Sequence, residues 1–442
     1  VTHGNDFGTV STAISAAIFL TTFGLILAER VHRTVIGLFG AVTMVAAGMF
    51  FGFYSPAKAL HSVDFNTIGL LLGMMIVVAI LEHTGFFQYL AIYAAKKTRG
   101  DPWKLTVVLG TVTTVVSLIL DNVTTVVLIA PVTIIIAQIL KISAVPILMA
   151  EALLSDTGGV ATLVGDPPNI MIGSAAPFTF NDFLVHIAPI VVVAWFLTLW
   201  ALKFVFRREL AIKPANVEAL LRMDENAAMK DWTTCKIVLA VLGLVVVLFF
   251  FHHSFHMPPS MVALVGASLC LILITPTRDP QPILEKVEWS VLLFFAALFI
   301  IVGGLEHAGI LGHLATQAAH LASGNLVVAA VTILWVSAIM SAAVDNIPFT
   351  MAMIPVIQHL EAQGVPVNIL WWSLALGVGF GGNGTPIGST ANVVVVAKSE
   401  QTDDPITFVR WFKSGSIAMI VTCMVGMLAL ILFPGWLSGP YR

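Results

Sequence analysis

The chain has 442 residues, of which 58% are hydrophobic and 10% charged, well short of the roughly one charged residue in four that a soluble surface carries. That composition describes a polytopic membrane protein. A formal net charge of −3 gives no basis for a nucleic-acid partner, and Cys235, Cys270 and Cys423 lack the spacing of a disulfide framework or a zinc site.

The chain opens at Val1 without Met, which leaves the native start open. In chain order, apolar runs of spanning length fall at about 12–28, 35–53, 65–92, 147–174 and 183–205, then at 237–252, 259–275, 288–315, 368–397 and 408–433, against a need of ~20 residues each. The run at 12–28 has the look of a signal-peptide core, but no small-residue cleavage site follows it. Two further blocks, 104–140 and 326–358, are interrupted at their middles by Asp121-Asn122-Val123-Thr124-Thr125 and Asp345-Asn346-Ile347-Pro348-Phe349-Thr350. Each reads as a helical hairpin with its tip inside the membrane.

The runs at 147–174 and 368–397 are themselves broken. Residues 155–169 hold two carboxylates, three Gly, two Pro and an Asn, a composition that cannot continue as an unbroken membrane helix. Gly158 to Asn169 aligns without a gap onto Gly381 to Asn392. Glu82-His83 matches Glu306-His307, Asp121-Asn122 matches Asp345-Asn346, and Pro131 matches Pro355, all at a separation of 224 residues. The expected fold is therefore all-α: a repeat of about five transmembrane helices plus one re-entrant hairpin per half, with broken helices at the midplane. A duplicated, broken, polar segment in an apolar chain is a pointer to a transporter's binding site.

If the halves are inverted, nineteen of the 21 Lys and Arg fall on one side, among them Arg30, Arg33, Lys97, Arg208, Arg278 and Lys398, and two, Lys58 and Arg442, on the other. By the positive-inside rule the first side is the cytoplasm and both termini are external. Residues 1–205 form the first repeat, with a scaffold at 12–92 and a transport part at 104–205. Residues 206–236 are a cytoplasmic linker. Residues 237–442 form the second repeat, with a scaffold at 237–315 and a transport part at 326–433.

The Asp-Asn tips, taken with Gly-Asp-Pro-Pro-Asn at 165–169 and Gly-Asn-Gly-Thr-Pro-Ile-Gly-Ser-Thr-Ala-Asn at 382–392, make nearly the whole chain resemble the ion transporter superfamily. Within it the chain is most similar to the branch of ArsB-type arsenite permeases, NhaD-like sodium/proton antiporters and the melanosomal P protein. The resemblance implies a secondary transporter of the inner cell membrane, with two hairpins entering from opposite faces and an elevator-type mechanism. It also allows a homodimer and a cytoplasmic ATPase subunit as partners.

The residues suggest the chemistry independently. The candidate cargo contacts are Asp121, Asn122, Thr124, Thr125, Thr162, Asn169, Asp345, Asn346, Asn383, Thr385, Ser389 and Asn392, and the candidate proton carriers are Asp121, Asp156, Asp166 and Asp345. An Asp held ionised near a bilayer centre costs ~2.5 to 3.5 kcal/mol on insertion scales, so each is protonated, paired with a cation, or wet. Four acids with no Lys, Arg or His among them favour a cation, a proton or a neutral hydroxylated solute over a multivalent anion. The expected function is proton-coupled efflux of arsenite or antimonite as the uncharged oxyacid; sodium/proton antiport or anion carriage on the same scaffold is the alternative. No cofactor, metal or enzymatic activity is expected. The bland readings are that an Asp-Asn tip is only a helix N-cap, that the paired glycines serve close packing, that Glu82, Glu151, Glu306 and Glu361 snorkel or cap near an interface, and that His252, His253 and His256 belong to a solvated loop.

Overall fold

A computed structural model describes residues 3–28, 30–176, 178–275, 279–310 and 325–439, and the described residues contain helices and no strands. Eight of those helices are long and apolar enough to cross a membrane. Arg278, Arg442 and the end of the 288–315 run lie outside the described residues.

The first half begins with α1 (His3–Leu27), α2 (Arg33–Phe51), the short α3 (Pro56–Ser62), α4 (Phe65–His83) and α5 (Phe86–Lys97). The single run expected at 65–92 is thus two helices, α4 and α5. Gly85 divides them, at φ +82°, a left-handed conformation that favours glycine. A Cβ at Gly85 would also stand 1.9 Å from the Ala228 carbonyl oxygen, because Lys230 N–H donates to Thr84 O at 2.8 Å and brings the linker against this corner. Next come α6 (Pro102–Ser117) and α7 (Asn122–Leu140), then α8 (Val145–Gly159) and α9 (Pro167–Ala175) on either side of the first break, then α10 (Phe180–His186) and α11 (Ala188–Val205).

Between the halves, residues 206–231 carry one short α-helix, α12 (Val217–Arg222), between two 3-10 turns. Lys96 donates to the Met223 carbonyl at 2.9 Å and pairs with Glu225, and that hydrogen bond holds the Glu225 carboxyl below its ordinary range. The linker is therefore fastened to the end of α5. The second half follows as α13 (Trp232–Phe251), α14 (Pro259–Ile274), α15 (Gln281–Leu284), α16 (Trp289–His307), α17 (Leu326–Ala343), α18 (Asn346–Ala362), α19 (Asn368–Gly382), α20 (Thr390–Ser399), α21 (Phe408–Leu432) and the short α22 (Pro434–Leu437).

The duplication holds at the level of element boundaries. Helices α4 and α16 are both 19 residues long, α8 and α19 are both 15, and α7 and α18 each carry an internal proline, Pro131 and Pro355. The halves interlock: α2 packs on α16 and α14 on α4, while α9 packs on α18 and α20 on α7. The two broken helices lie at the centre, with every residue from Ala144 to Ile172 and from Ile369 to Gly384 buried.

Glu151 corrects one expectation. It does not snorkel; it is fully buried in α8 and accepts a hydrogen bond from Thr133 of α7. His252 is also buried, with its ring nitrogens on the Met257 carbonyl and the Phe180 N–H. Glu82 and His307 do end their helices, Glu82 facing Lys286 at 3.7 Å and His307 bonding the Gly303 carbonyl.

Replacement of Gly85 by Ala combines a left-handed φ with a clash against backbone. Purified Gly85→Ala protein should be destabilised by at least ~1 kcal/mol, read as a lowered unfolding midpoint in detergent; an unchanged midpoint would mean that the α4–α5 corner tolerates a side chain.

Candidate transport site

Each hairpin is fastened to its broken helix by the same hydrogen bonds. In the first half Ser117 Oγ donates to Ser155 O at 3.2 Å and Thr162 Oγ1 to Leu118 O at 2.6 Å. In the second, Ser341 Oγ donates to Val378 O at 2.7 Å, and Thr385 Oγ1 donates to Ala342 O. The breaks are closed in matching fashion. Asn169 Nδ2 donates to Val160 O and Thr162 O, both at 2.9 Å, and Asn392 Nδ2 donates to Gly382 O at 2.8 Å and Thr385 O at 3.1 Å. Close backbone approach makes this possible: a Cβ on Gly165 or on Gly388 would stand 2.6 Å from the carbonyl oxygen of Gly159 or Gly382 respectively.

Thr162, Asn169, Thr385 and Asn392 therefore hold the two breaks shut through these bonds. Thr125 bonds back to the Asp121 carbonyl at 2.9 Å, within its own helix. Asp121 is the N-cap of α7, with Oδ1 on Thr124 N–H at 2.8 Å and Oδ2 on Thr124 Oγ1 at 2.7 Å. The capping reading describes its contacts.

Other residues meet where the two breaks cross. Asn122 Nδ2 donates to Asp156 Oδ1 at 2.7 Å, and Ser389 Oγ reaches the same oxygen from the opposite half at 3.2 Å. Asn346 Nδ2 donates to Asp166 Oδ1 at 3.5 Å, and Asn383 Nδ2 to Thr157 Oγ1 at 3.0 Å. Every one of these side chains is buried. Among the described residues, the acceptor atoms buried with no hydrogen-bond partner include four around the breaks: Asp156 Oδ2, Asn169 Oδ1, Asn383 Oδ1 and Asn392 Oδ1. Buried polar atoms are normally paired.

The second tip differs from the first. Asp345 caps α18 through Oδ1 to Ile347 N–H at 3.2 Å, while its Oδ2 receives Arg33 Nη1 at 2.7 Å and Thr390 Oγ1 at 3.0 Å. Arg33 also donates to Thr390 Oγ1 at 2.8 Å, and its guanidinium lies 5.3 Å from the centre of the Phe294 ring. The expectation of a site without a fixed base is thereby corrected. The count of bases by side puts Arg33 at the cytoplasmic edge, and no local signal connects residue 33 to residue 345. Glu151 is likewise expected elsewhere; its second carboxyl oxygen is buried without a partner. Among the described residues no group of His, Cys, Asp and Glu could hold a metal ion.

With this geometry in place, the relatives identify the lineage. The profile of the CitMHS family, described as citrate transporter, matches residues 23–377. The chain belongs to that family. It is 40% identical over 425 residues to an uncharacterized transporter of Mycobacterium tuberculosis, spanning 95% of this chain and 98% of that protein. It is 39% identical over 419 residues to the 46 kDa membrane protein of Mycobacterium leprae, spanning 93% and 96%. The P protein of Homo sapiens is 33% identical over 506 residues, which covers 96% of this chain and 60% of the P protein. In fold the chain is similar to the crystal structure of the Alcanivorax borkumensis YdaH transporter, with a TM-score of 0.60 and 13% identity over 97% of this chain and 100% of that one. The protein is a multi-pass membrane transporter of the ion transporter superfamily.

The clamps at the breaks make a direct prediction about stability. Asn169→Ala and Asn392→Ala each leave buried backbone carbonyls unpaired and should cost on the order of 1 to 3 kcal/mol, read as a lowered unfolding midpoint; an unaltered midpoint in both would assign the amides to cargo alone.

Proposed function

We propose that the chain is a proton-coupled secondary transporter whose cargo supplies hydroxyl donors, with arsenous acid and its antimony analogue as the cargo class. The observation that carries this reading is the set of unpartnered buried atoms at the crossing, Asp156 Oδ2, Asn169 Oδ1, Asn383 Oδ1 and Asn392 Oδ1, all of them acceptors. A proton on Asp156 or a hydroxyl of a trihydroxide satisfies such atoms. A carboxylate brings only more acceptors. Asp156 and Asp166 are the proton carriers in this reading, because they have no acidic counterparts in the second half, where Gly379 and Ser389 stand. Sodium is the alternative coupling ion for the same oxygens.

Carriage of a carboxylate such as citrate is the second reading. Arg33, the one base hydrogen-bonded at either hairpin tip among the described residues, favours it, as does the description of the matching family.

Movement follows the division into scaffold and transport parts. Residues 12–92 and 237–315 stay fixed, and 104–205 with 326–433 travel between them as an elevator, in the inner cell membrane with both termini external. Several contacts cross that division and must exchange during the cycle, among them Arg33 on Asp345 and Thr390, Asn66 Nδ2 on Ser174 Oγ at 3.2 Å, Phe180 N–H on His252, and Asn181 Nδ2 on the Phe250 carbonyl at 3.0 Å. A homodimer would fix the scaffold against which the transport part moves; the site itself calls for no ATPase subunit.

Three measurements test this. In proteoliposomes offered arsenite, sodium or citrate, each with and without a pH gradient, arsenite movement should follow the gradient and citrate should not compete; saturable citrate uptake with no arsenite movement would replace the first reading by the second. Asp156→Asn and Asp166→Asn should each remove the dependence on the pH gradient, and full dependence in both would place the proton elsewhere. Cysteines at positions 97 and 208 should react with an impermeant maleimide from the same, cytoplasmic face, whereas labelling from opposite faces would rule out the inverted topology.

A further inference from the structure

The base at the second tip has no partner in the repeat. At the separation of 224 residues that relates the halves, the position matching Arg33 is Met257, and the first tip carboxylate, Asp121, is held by Thr124 of its own helix. The two tips are therefore built from the same Asp-Asn pair but finished differently: the first is closed on itself, and the second is closed by a guanidinium from another helix.

The guanidinium is well placed to act as a tether. Arg33 is the first residue of α2, which packs along α16, and Thr34 Oγ1 beside it donates to Ser290 O of α16 at 2.8 Å. The arginine lies close to the Phe294 ring of α16, and its Nη1 serves both Asp345 at the tip of the α17–α18 hairpin and Thr390 at the start of α20. One side chain thus joins the α2–α16 pair to the hairpin and to the helix that follows the second break. Its side chain is 26% exposed and that of Asp345 14% exposed, so the pair is shielded more than a surface salt bridge and screened more than a buried one. An interaction in that range can be both strong enough to hold a segment and weak enough to exchange. It also borders a cavity of about 430 Å3 lined by Arg30, His32, Val344 and Ile387, through which a small ion could approach Asp345.

We propose that Arg33 is the resident counter-ion of the second hairpin tip: it ties the tip to α2 and α16, and lets go when a cation takes its place on Asp345. Arg33 is a positioning residue in this scheme, touching the carboxylate and not the cargo. Its consequence is that an empty carrier is held in place by its own side chain, and that occupancy of the tip frees the hairpin to move. That consequence rests on the transport reading above; the tether itself does not, and its test needs no cargo.

Val344 precedes Asp345, lines the cavity and is only 8% exposed, so a cysteine there reports opening of the tip. The native Cys235, Cys270 and Cys423 are buried and supply little background. In membrane vesicles bearing Val344→Cys, the rate of reaction with a small maleimide should rise roughly tenfold when Arg33→Gln or Asp345→Asn is added. Arg33→Lys should remain near the parent rate, and the double variant Arg33→Gln with Asp345→Asn should be no faster than either single one, since both remove one and the same interaction. Parent rates in both single variants, or rates that multiply in the double variant, would overturn the tether. If Arg33→Gln fails to reach the membrane, Asp345→Asn set against Arg33→Lys decides the question alone. Loss of the tether with transport intact would separate this proposal from the one on function, as would an intact tether in a protein that moves none of the three solutes.

Discussion

A helix that stops inside hydrocarbon leaves backbone groups with no water to bond, and a protein that spans a membrane must satisfy them from within. Two buried helix stops, which face the same constraint, lie at the centre of the described residues, between α8 and α9 and between α19 and α20. Asn169 and Asn392 answer each of them from the far side of the break, with one amide group bonded to two carbonyls of the loop it closes. Thr162 and Thr385 then sew each loop to the hairpin in front of it. Gly165 and Gly388 follow from the same constraint, since the loops can close only where backbone meets backbone. The polar residues Asn122, Asp156, Ser389 and Asn383 are positioned by a frame whose backbone breaks are closed without them.

That frame is duplicated, and the site built on it is not. Asp156 projects from α8 into the crossing, while its counterpart in α19 is Gly379. A Cβ at Gly379 would stand 2.2 Å from Val160 Cγ2, so the second half has no room for an acid at that depth. Asp166 faces Asn346 from one break, and the matching Ser389 faces Asp156 from the other. The result is a pair of carboxylates supplied by one half and bonded by amides and a hydroxyl drawn from both. Asp156 and both its partners, Asn122 and Ser389, lie in the parts proposed to travel together, so this cross-half pairing moves as a unit.

Much of this was legible in the chain. Gly, Pro, Asp and Asn stand out against an apolar background because each interrupts a helical ladder, and the near-constant separation of like motifs, 224 residues for the tips and 223 for the breaks, shows that the interruptions come in pairs. Both tips, both breaks and the order of helices follow from that. What stayed hidden has a common physical cause: it depends on contacts between distant segments. Gly85 sits in an apolar run and reads as one more membrane residue until Ala228 is brought against it. Glu151 reads as an interfacial acid until Thr133, on another helix, turns out to be its partner. Asn169 and Asn392 carry the residue type expected of a cargo ligand, and only the carbonyls they reach reveal how much of their bonding capacity goes into the frame.

Arg33 shows how far a charge inventory depends on what is counted. Read by position, it is one of nineteen bases that set topology; read by contact, it offsets one of the acids around the crossing and leaves Asp121, Asp156 and Asp166 without a hydrogen-bonded base. The site is still acidic, but its acidity is divided. Asp345 and Arg33 form a unit whose charges cancel, placed where α2 and α16 meet the second hairpin, while Asp156 and Asp166 sit deeper with neutral partners. In the proposed cycle a proton arriving at the deeper pair changes the local charge, whereas release of Arg33 from Asp345 frees the second hairpin from α2. The first event belongs to binding and the second to movement. Asn346, the neighbour of Asp345 at the same tip, donates to Asp166, so the tethered tip and the deeper pair are joined by a contact already present.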